Sequence, residues 1–420
     1  MTDVQVTAVP AALKTKEAVP LRVALSRAQS RARRRAFLLV LPLLLFILFT
    51  FVVPIGQMLQ RSVYHDGFSR NAPRVSAWFQ SNPDGTEPDE AAFAALAGDF
   101  KEMKANKTAG EAGTRVNYTF SGTRSLFTAT ARSADRLEPP FKEAFLAEDP
   151  KWGASAVWQA MRSASSAYTA DFYLIATDNE RAPDGGIQRV SKDQRIYVHL
   201  FFKTFLLSGL ITFTCLLLAF PVAHLLATLP LRYSNLLMIF VLLPFWTSLL
   251  VRTTSWIVLL QGQGVLNDLL VGLGLIGDES RLKLIYNQTG TVIVMTHILL
   301  PFMILPLYSV MRVIPPSYAR AARSLGATSW TTFRRIYLPQ TLPGMGAGAL
   351  LVFILAVGYY ITPALVGGAD GQLISNLIDF HMDKSNWSLA AALSAMLLAG
   401  VLLLYWLYDR LVGIDNLKLG

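Results

Sequence analysis

The sequence predicts an all-α polytopic membrane protein with six transmembrane helices and a polar α+β insertion between the first and the second. Three observations carry that expectation. Of 420 residues, 53% are apolar and only 16% charged, where a soluble chain carries about 25% charge. The apolar residues collect into six runs, each near the ~20 residues that cross a hydrocarbon core. The arginines crowd against one set of run ends, as topology demands of them.

Taken in order, the runs are Ala36–Leu59, Val198–Leu229, Leu236–Leu260, Val292–Met311, Met345–Val366 and Leu389–Leu411. The first is read as a retained span, because its apolar core is long, a leader precedes it and no small-residue cleavage site follows. That leader ends in Arg31, Arg33, Arg34 and Arg35, which places the N-terminus in the cytoplasm. Six spans return the C-terminus to the same side. The connection between spans four and five is then cytoplasmic too, and it holds Arg312, Arg320, Arg323, Arg334 and Arg335. The opposite loops, 261–291 and 367–388, carry Asp268, Asp278, Glu279, Asp370, Asp379 and Asp383. The net charge of +10 is therefore mostly topology, and a nucleic-acid partner is excluded because the bases flank spans.

Residues 61–196 are polar and nearly balanced in charge. Long loops cross a membrane regardless of charge, so they fit an extracytoplasmic position. Pro88–Lys107 has apolar residues at helical spacing, among them Ala92, Phe93, Leu96 and Phe100, and Pro139–Ser163 suggests one or two more helices. "VNYTFSG" and "DFYLIATD" read as short strands. No carboxylate pair, histidine cluster or nucleophile with a base stands out. The expectation is a domain that docks a partner or shields a pore and catalyses nothing. Cys215, the only cysteine, lies in an apolar run and reads as an inert buried thiol; no metal site is expected.

The stretch "ARAARSLGATSWTTFRRIYLP", Ala319–Pro339, carries the clearest functional signal. Pro315 and Pro316 end span four, and Ser317 can cap a short helix running from Tyr318 to Leu325. Ala321 and Ala322 keep it slim. Gly326 suits the left-handed residue that closes a helix. Thr328 or Ser329 can cap a second helix with an apolar stripe of Trp330, Phe333, Ile336 and Leu338, stopped by Pro339 and Pro343. The residues alone leave two readings open: an amphipathic connector resting on headgroups, or a helix shaped to enter a partner's groove.

The spacing Ala321-Ala322, three residues, Gly326, nine residues, Ile336-x-Leu338-Pro339 resembles the EAA loop of ABC importer permeases, E-A-A-x3-G-x9-I-x-L-P. Arg320 stands where the family has glutamate, so the partner surface is expected to differ there. "LLPFWTSLLVRTTSW" (Leu242–Trp256), "HILLPFMILPLYSVM" (His297–Met311), "YYITPALVGG" (Tyr359–Gly368), "LISNLI" (Leu373–Ile378) and "NWSLAAALS" (Asn386–Ser394) are similar to the spermidine/putrescine branch of that superfamily. The resemblance covers roughly 198–412 and the first span.

It implies the type I importer permease fold and a division of the chain. Residues 1–35 form a basic cytoplasmic leader, 36–59 the first helix and 60–197 a periplasmic insertion domain. Residues 198–412 form a permease core with coupling loop 313–343, and 413–420 a cytoplasmic tail. It also implies partners: two copies of a P-loop ATPase subunit that bind ATP and Mg, a second and different permease, a periplasmic substrate-binding protein, and the lipid of a bacterial inner membrane. No G-x-x-x-x-G-K-[ST] occurs in this chain, so hydrolysis is assigned to the partner, and no cofactor to this chain. The coupling residues implied are Arg320, Ala321, Ala322, Arg323, Gly326, Ile336, Leu338 and Pro339.

For the substrate path, a polycation asks for aromatic faces and carboxylates. Trp246, Trp256, Tyr359 and Tyr360 supply the first, and Asp370, Asp379 and Asp383 the second. Arg252, inside span three, either meets an anionic group or holds bundle carbonyls and a carboxylate. The structural role is preferred, since an arginine repels a cation. His224 and His297 read as bundle hydrogen-bonders, and prolines 221, 244, 301 and 306 as kinks. The cargo expected is spermidine or putrescine; another amine, an amino-acid derivative or ferric ion is the alternative. An ion-coupled secondary transporter would need acids in its span centres and repeated halves, and a membrane-anchored sensor would need a cytoplasmic signalling module. The sequence offers neither.

Overall fold

The computed structural model describes residues 21–83, 85–181 and 186–412, and the chain divides into two units at Gln60/Arg61. The leader before residue 21 and the tail from 413 lie outside the described residues. The first unit is one long helix: α1 (Leu21–Ile47), a π turn over Leu48–Val52, and α2 (Val53–Arg61). The span within it, Gln29–Arg61, is the most apolar in the chain. Pro54 comes two residues after the π turn, where Val53 has already donated to Leu48 five residues back. A proline that follows such a widened turn falls in the first turn of a new α segment, where its missing N–H costs little.

The second unit begins with the insertion. Its helices are α3 (Pro73–Ser81), α4 (Glu90–Asn106), α5 (Ala109–Asn117), α6 (Thr123–Arg132), α7 (Phe141–Glu148), α8 (Ser155–Ser165) and α9 (Asp171–Ala176). A two-stranded antiparallel hairpin, β1 (Asn179–Arg181) with β2 (Ile187–Arg189), completes it. The strands are not where the sequence suggested. "VNYTFSG" is the end of α5 and a turn, and "DFYLIATD" contains α9. Phe172 and Ala176, four residues apart on one helical face, bury themselves against Leu389, Ala392 and Leu393. That tertiary contact decides the conformation of a run too short to declare its own period. The core is aromatic: Phe68, Phe93, Phe100, Phe127, Phe145 and Trp152 are fully buried. Trp152 donates from Nε1 to Thr130 Oγ1 at 3.0 Å, and Trp158 to the Trp152 carbonyl at 2.8 Å.

Carboxylates from elsewhere cap helices that lack their own N-cap side chain. Asp99 on α4 accepts from Arg74 and Val75 in the first turn of α3, at 3.1 and 2.9 Å. Glu90 does the same for Phe141 and Lys142 at the start of α7. Asp178 reaches across to the first membrane helix of this unit and accepts from Ile196, Tyr197 and Val198, at 3.1, 3.0 and 2.9 Å. Each satisfies donors that a helix start leaves orphaned. Burial pushes the Asp99 carboxyl up to about 6, against those two N–H donors, which favour its charged form.

The bundle consists of α10 (Tyr197–Thr228), α11 (Leu231–Leu242), α12 (Leu249–Leu260), α13 (Val265–Gly272), α14 (Gln288–Val313), α15 (Pro316–Ser324), α16 (Ser329–Thr332), α17 (Leu338–Gly358), α18 (Ile361–Val366), α19 (Ile374–Asp383) and α20 (Trp387–Val412). Its core lies where α10, α14 and α17 meet, around Ile211, Cys215, Leu299, Met303, Leu307 and Val352. Close approach is built from small residues, as membrane helices require. A Cβ on Gly344 would lie 3.0 Å from Val310 Cβ and 3.1 Å from the Pro306 carbonyl.

Two expected spans are broken. Leu236–Leu260 is not one helix but the pair α11 and α12, meeting at 98°. Pro244 sits in a short 3-10 turn, Thr247 and Ser248 are extended, and Ser248 Oγ caps the new helix by accepting from Val251 N at 3.2 Å. Met345–Val366 likewise stops at Gly358 and restarts as α18 after Tyr359 and Tyr360. With the bent pair as one span, up to six helices are long and apolar enough to cross a membrane.

Candidate functional site

At one end of the bundle, α14 finishes and the basic stretch begins. Arg312 donates from Nη1 to the carbonyls of Ala227 and Leu229, at 2.7 and 3.2 Å, and so closes the C-terminal end of α10. It belongs to the bundle rather than to the loop surface. Pro315 is the N-cap of α15 and Pro316 its first residue, so Ser317 is inside the helix and caps nothing. The helix ends as the glycine suggested. Gly326 has φ +83°, its N–H reaches the Arg323 carbonyl, and Ala327 N–H reaches the Ala322 carbonyl, both at 3.0 Å. That pair of bonds is the Schellman arrangement. Thr328 then caps α16, accepting from Thr331 N at 3.2 Å.

Beyond that cap the structure differs from the expected second helix. Pro339 and Pro343 do not stop it; the helix runs unbroken from Ser329 to Gly358. A π turn over Phe333–Tyr337 absorbs the change, with Leu338 N–H bonded to the Phe333 carbonyl. Pro339 follows at the second position, the same device that accommodates Pro54. The apolar stripe is split as a result. Phe333 and Tyr337 turn toward α10, where Phe220 meets the Phe333 ring and the His224 imidazole meets the Tyr337 hydroxyl at 2.9 Å. Trp330 remains 68% exposed, and Leu325 at the turn is 88% exposed. Arg320, Ala321, Arg323 and Gly326 are exposed and Ala322 partly so; Ile336 and Leu338 are half-buried beneath them, while Pro339 is exposed. The surface is a short slim helix, a tight turn and two protruding apolar side chains, ringed by Arg320, Arg323, Arg334 and Arg335 with no acidic side chain among them.

Nearer the other end, the two broken helices face α14. Trp256 on α12 donates from Nε1 to His297 Nδ1 at 3.0 Å. Trp256 and Tyr359 both pack on the cluster of Leu260, Val294, Ile298 and Val366. Arg252, one turn before Trp256, interacts electrostatically with both His297 and Tyr359. The carbonyls freed at the break after α17 are taken up by α19: Ser375 Oγ donates to Tyr359 O, and Asn376 Nδ2 to Tyr360 O at 2.7 Å. Trp256 and Tyr359 therefore share one cluster, with Arg252 beside it on α12 and Tyr360 at its edge. Trp246 does not join them; it stands 75% exposed at the bend. Asp370 on the loop after α18 and Asp379 on α19 make no hydrogen bond or ion pair with this cluster among the described residues. His297 and Asn376 belong to it and were not singled out as pathway residues, because a pairing across 41 residues of sequence leaves no local pattern.

The connection between α18 and α19 is tightly built. Gly368 has φ +57°, and a Cβ there would lie 2.4 Å from the Tyr286 carbonyl. Thr291 Oγ1 donates to the Gly371 carbonyl at 3.2 Å, and Ile374 N to Thr204 Oγ1 at 2.8 Å.

Residues 210–413 match the family described as binding-protein-dependent transport system inner membrane component. The spermidine/putrescine transport system permease protein PotB of Haemophilus influenzae is 35% identical over 225 residues, 53% of this chain and 78% of the relative. PotB of Escherichia coli is 35% identical over 222 residues, 52% and 80% of the two chains. The chain belongs to this family. The inner membrane ABC transporter permease protein YdcU of Escherichia coli is also similar, at 32% over 236 residues, 52% of this permease and 73% of the relative. A solved bacterial ABC transporter involved in the import of alginate aligns with 68% of the permease and 99% of its own chain, at 20% identity and a TM-score of 0.44. The chain is thus a multi-pass inner-membrane permease of a binding-protein-dependent importer, a system that also contains an ATPase and a substrate-binding protein. The matched region holds both candidate surfaces; the insertion, residues 61–196, lies before it.

Proposed function

We propose that this permease is one of two different membrane subunits of an ATP-driven polyamine importer. It couples to a pair of ATPase subunits, which bind ATP and Mg, through the helix and turn at 316–326. Spermidine or putrescine is the cargo that its relatives' names favour, and a periplasmic binding protein delivers it. In this reading both termini and the 313–343 stretch are cytoplasmic, the insertion is periplasmic, and Trp256, Tyr359 and Tyr360 line the path. The arginines at the loop end of the bundle support that orientation.

One observation carries the coupling role. The Schellman turn at Gly326 ends α15 on an exposed shelf, and the second helix continues without a break into α17. A push on the shelf therefore reaches a membrane-spanning helix through a rigid rod. Arg320 and its neighbours give the shelf a positive rim, so the matching ATPase cleft is acidic.

The test is Gly326→Val. Its Cβ would meet nothing within 4 Å, so crowding is not the issue; a β-branched residue at φ +83° costs about 1–2 kcal/mol and favours opening the turn. The expected result is an unchanged amount of permease in the membrane with uptake reduced at least tenfold while ATP hydrolysis by the complex persists. Normal uptake by a well-expressed variant would refute the coupling role.

A further inference from the structure

Beside the cluster of Trp256 and Tyr359 lies a charge with nothing to balance it. Arg252 stands four residues into α12, and its Nε is buried without a hydrogen-bond partner. No ion pair or carbonyl reaches its guanidinium among the described residues, not even the carbonyls at the bend beside it. Its charged and titratable neighbours, His297 and Tyr359, bring no negative charge, and His297 is already engaged by Trp256. An arginine at membrane depth is costly unless a partner balances its charge. The side chain is half-buried, with its Nε enclosed and its terminal nitrogens left open among the described residues. The polar turn that begins at Gln261 is nine residues away, roughly 13 Å, and helical side chains lean toward the N-terminus, away from that turn.

The flank of α12 next to Arg252 points outward. Leu250, Val251 and Val258 are exposed, as is Phe240 on α11, and nothing in this unit covers them. A lipid tail satisfies those apolar side chains but not the guanidinium. The balancing anion has to arrive on the same element that covers the flank.

We propose that Arg252 pairs, inside the membrane, with a carboxylate of the second permease subunit, and that cationic cargo competes with it for that carboxylate. The proposal rests on the reading of paired permeases and an amine cargo given above. Arg252 is then a tethered stand-in for the cargo. It occupies the acidic position while the path is empty and yields it when an ammonium group arrives. A basic residue in a cation's path becomes intelligible, and so does the lack, among the described residues, of a carboxylate bonded to this cluster.

The experiment uses the assembled transporter, with both permeases, the ATPases and the binding protein, in nanodiscs. Arg252→Gln keeps much of the side chain and removes the charge. Its cargo-free ATP hydrolysis is expected to rise about tenfold, and stimulation by spermidine-loaded binding protein to fall below twofold. Arg252→Lys is expected to restore both values to within twofold of the wild type. Wild-type values in Arg252→Gln overturn the proposal.

If Arg252→Gln does not assemble, charge exchange decides. Arg252→Glu is combined with arginine at each membrane-embedded carboxylate of the second permease in turn. One combination is expected to restore co-purification of the two permeases; failure of every combination overturns the pair. Stimulation of the wild type by an anion-loaded binding protein, lost in Arg252→Gln, also overturns it, since the arginine would then bind cargo directly. A wild-type complex unmoved by any polyamine removes the cargo reading and the competition. The ion pair itself is still tested by charge exchange, which is read from co-purification alone.

Discussion

In the insertion, Trp152, Phe93, Phe100 and Phe127 are wholly enclosed; in the bundle, Phe202, Phe213, Phe240 and Trp246 stand on the outside. The two regions belong to one unit, and different solvents explain the contrast. Water drives aromatic surface inward, so the insertion has a centre made of large rings. Lipid is as apolar as leucine, so a membrane bundle gains little by hiding such residues and is held by close backbone approach and internal hydrogen bonds. Its interior is accordingly lined by Gly344, Gly348, Ala219, Ala223 and Ala356.

The largest effect that would break this comparison is a core truncation. Trp152→Ala removes a ring whose centroid lies 5.3 to 5.5 Å from those of Phe100, Phe127 and Phe145. The insertion is expected to lose about 3–5 kcal/mol, read as a lower urea midpoint in detergent by tryptophan fluorescence. Phe202→Ala removes a comparable apolar surface from the outside of α10 and is expected to change stability by less than about 1 kcal/mol. Equal losses at both sites would mean that the outer face of α10 is covered by protein.

Next in size is a pH effect confined to the insertion. Asp99 has a carboxyl raised from 3.8 to about 6 by burial, so the folded insertion holds a proton that the unfolded chain releases. Its contribution is fully present below about pH 4 and is lost as pH rises to 6. The window corresponds to about 3 kcal/mol at 1.36 kcal/mol per unit. Asp171 works in the opposite sense. Burial alone would raise it, but the Ser163 hydroxyl, Arg181 and Arg115 hold its carboxyl below the usual range. Melting the wild type and Asp99→Asn from pH 4 to 7 separates the two. The wild type's advantage over the variant is expected to shrink steadily up to pH 6 and then level off. A constant difference would show that Asp99 is ionised throughout.

The bundle's counterpart is Gly344→Val, expected to cost about 2 kcal/mol by forcing α14 and α17 apart. The readout is a lower melting temperature of the purified permease. Gly209, whose Cβ would meet nothing within 4 Å, is the control; Gly209→Ala is expected to be neutral or slightly stabilising.

These contrasts also explain what could be read in advance. Run length located the spans because hydrocarbon thickness sets it. Gly326 announced its turn because only glycine takes φ +83° without strain. The prolines misled in both directions. Pro244 read as a kink but marks a 98° break, because Thr247 and Ser248 are extended beside it and Ser248 caps the next helix. Pro339 read as a stop but sits inside a helix, because a π turn precedes it. What no local pattern could give were the caps. Asp99 serves a helix about 25 residues earlier, and Glu90 one about 51 residues later. The cluster around Trp256 and Tyr359 was half legible: its aromatic residues stood out by type, while the partners that fix them, His297 and Asn376, came from distant segments.

The smallest effect tests the joint between the two regions. Asp178 has φ +57°, a conformation that aspartate tolerates better than most residues, and from there its two carboxylate oxygens accept three consecutive N–H groups at the start of α10. Ile196, the N-cap of that helix, has no cap of its own. An anion at a helix start also complements the helix dipole. Asp178→Ala keeps the hairpin but leaves three donors to water, at a cost of about 1 kcal/mol. The expected signature is local: faster hydrogen exchange at Ile196, Tyr197 and Val198, with the Trp152 core and the bundle amides unchanged. If exchange quickens throughout the insertion as well, Asp178 is holding the domain to the membrane helix rather than merely finishing that helix. The water-built region and the lipid-built region would then unfold as one.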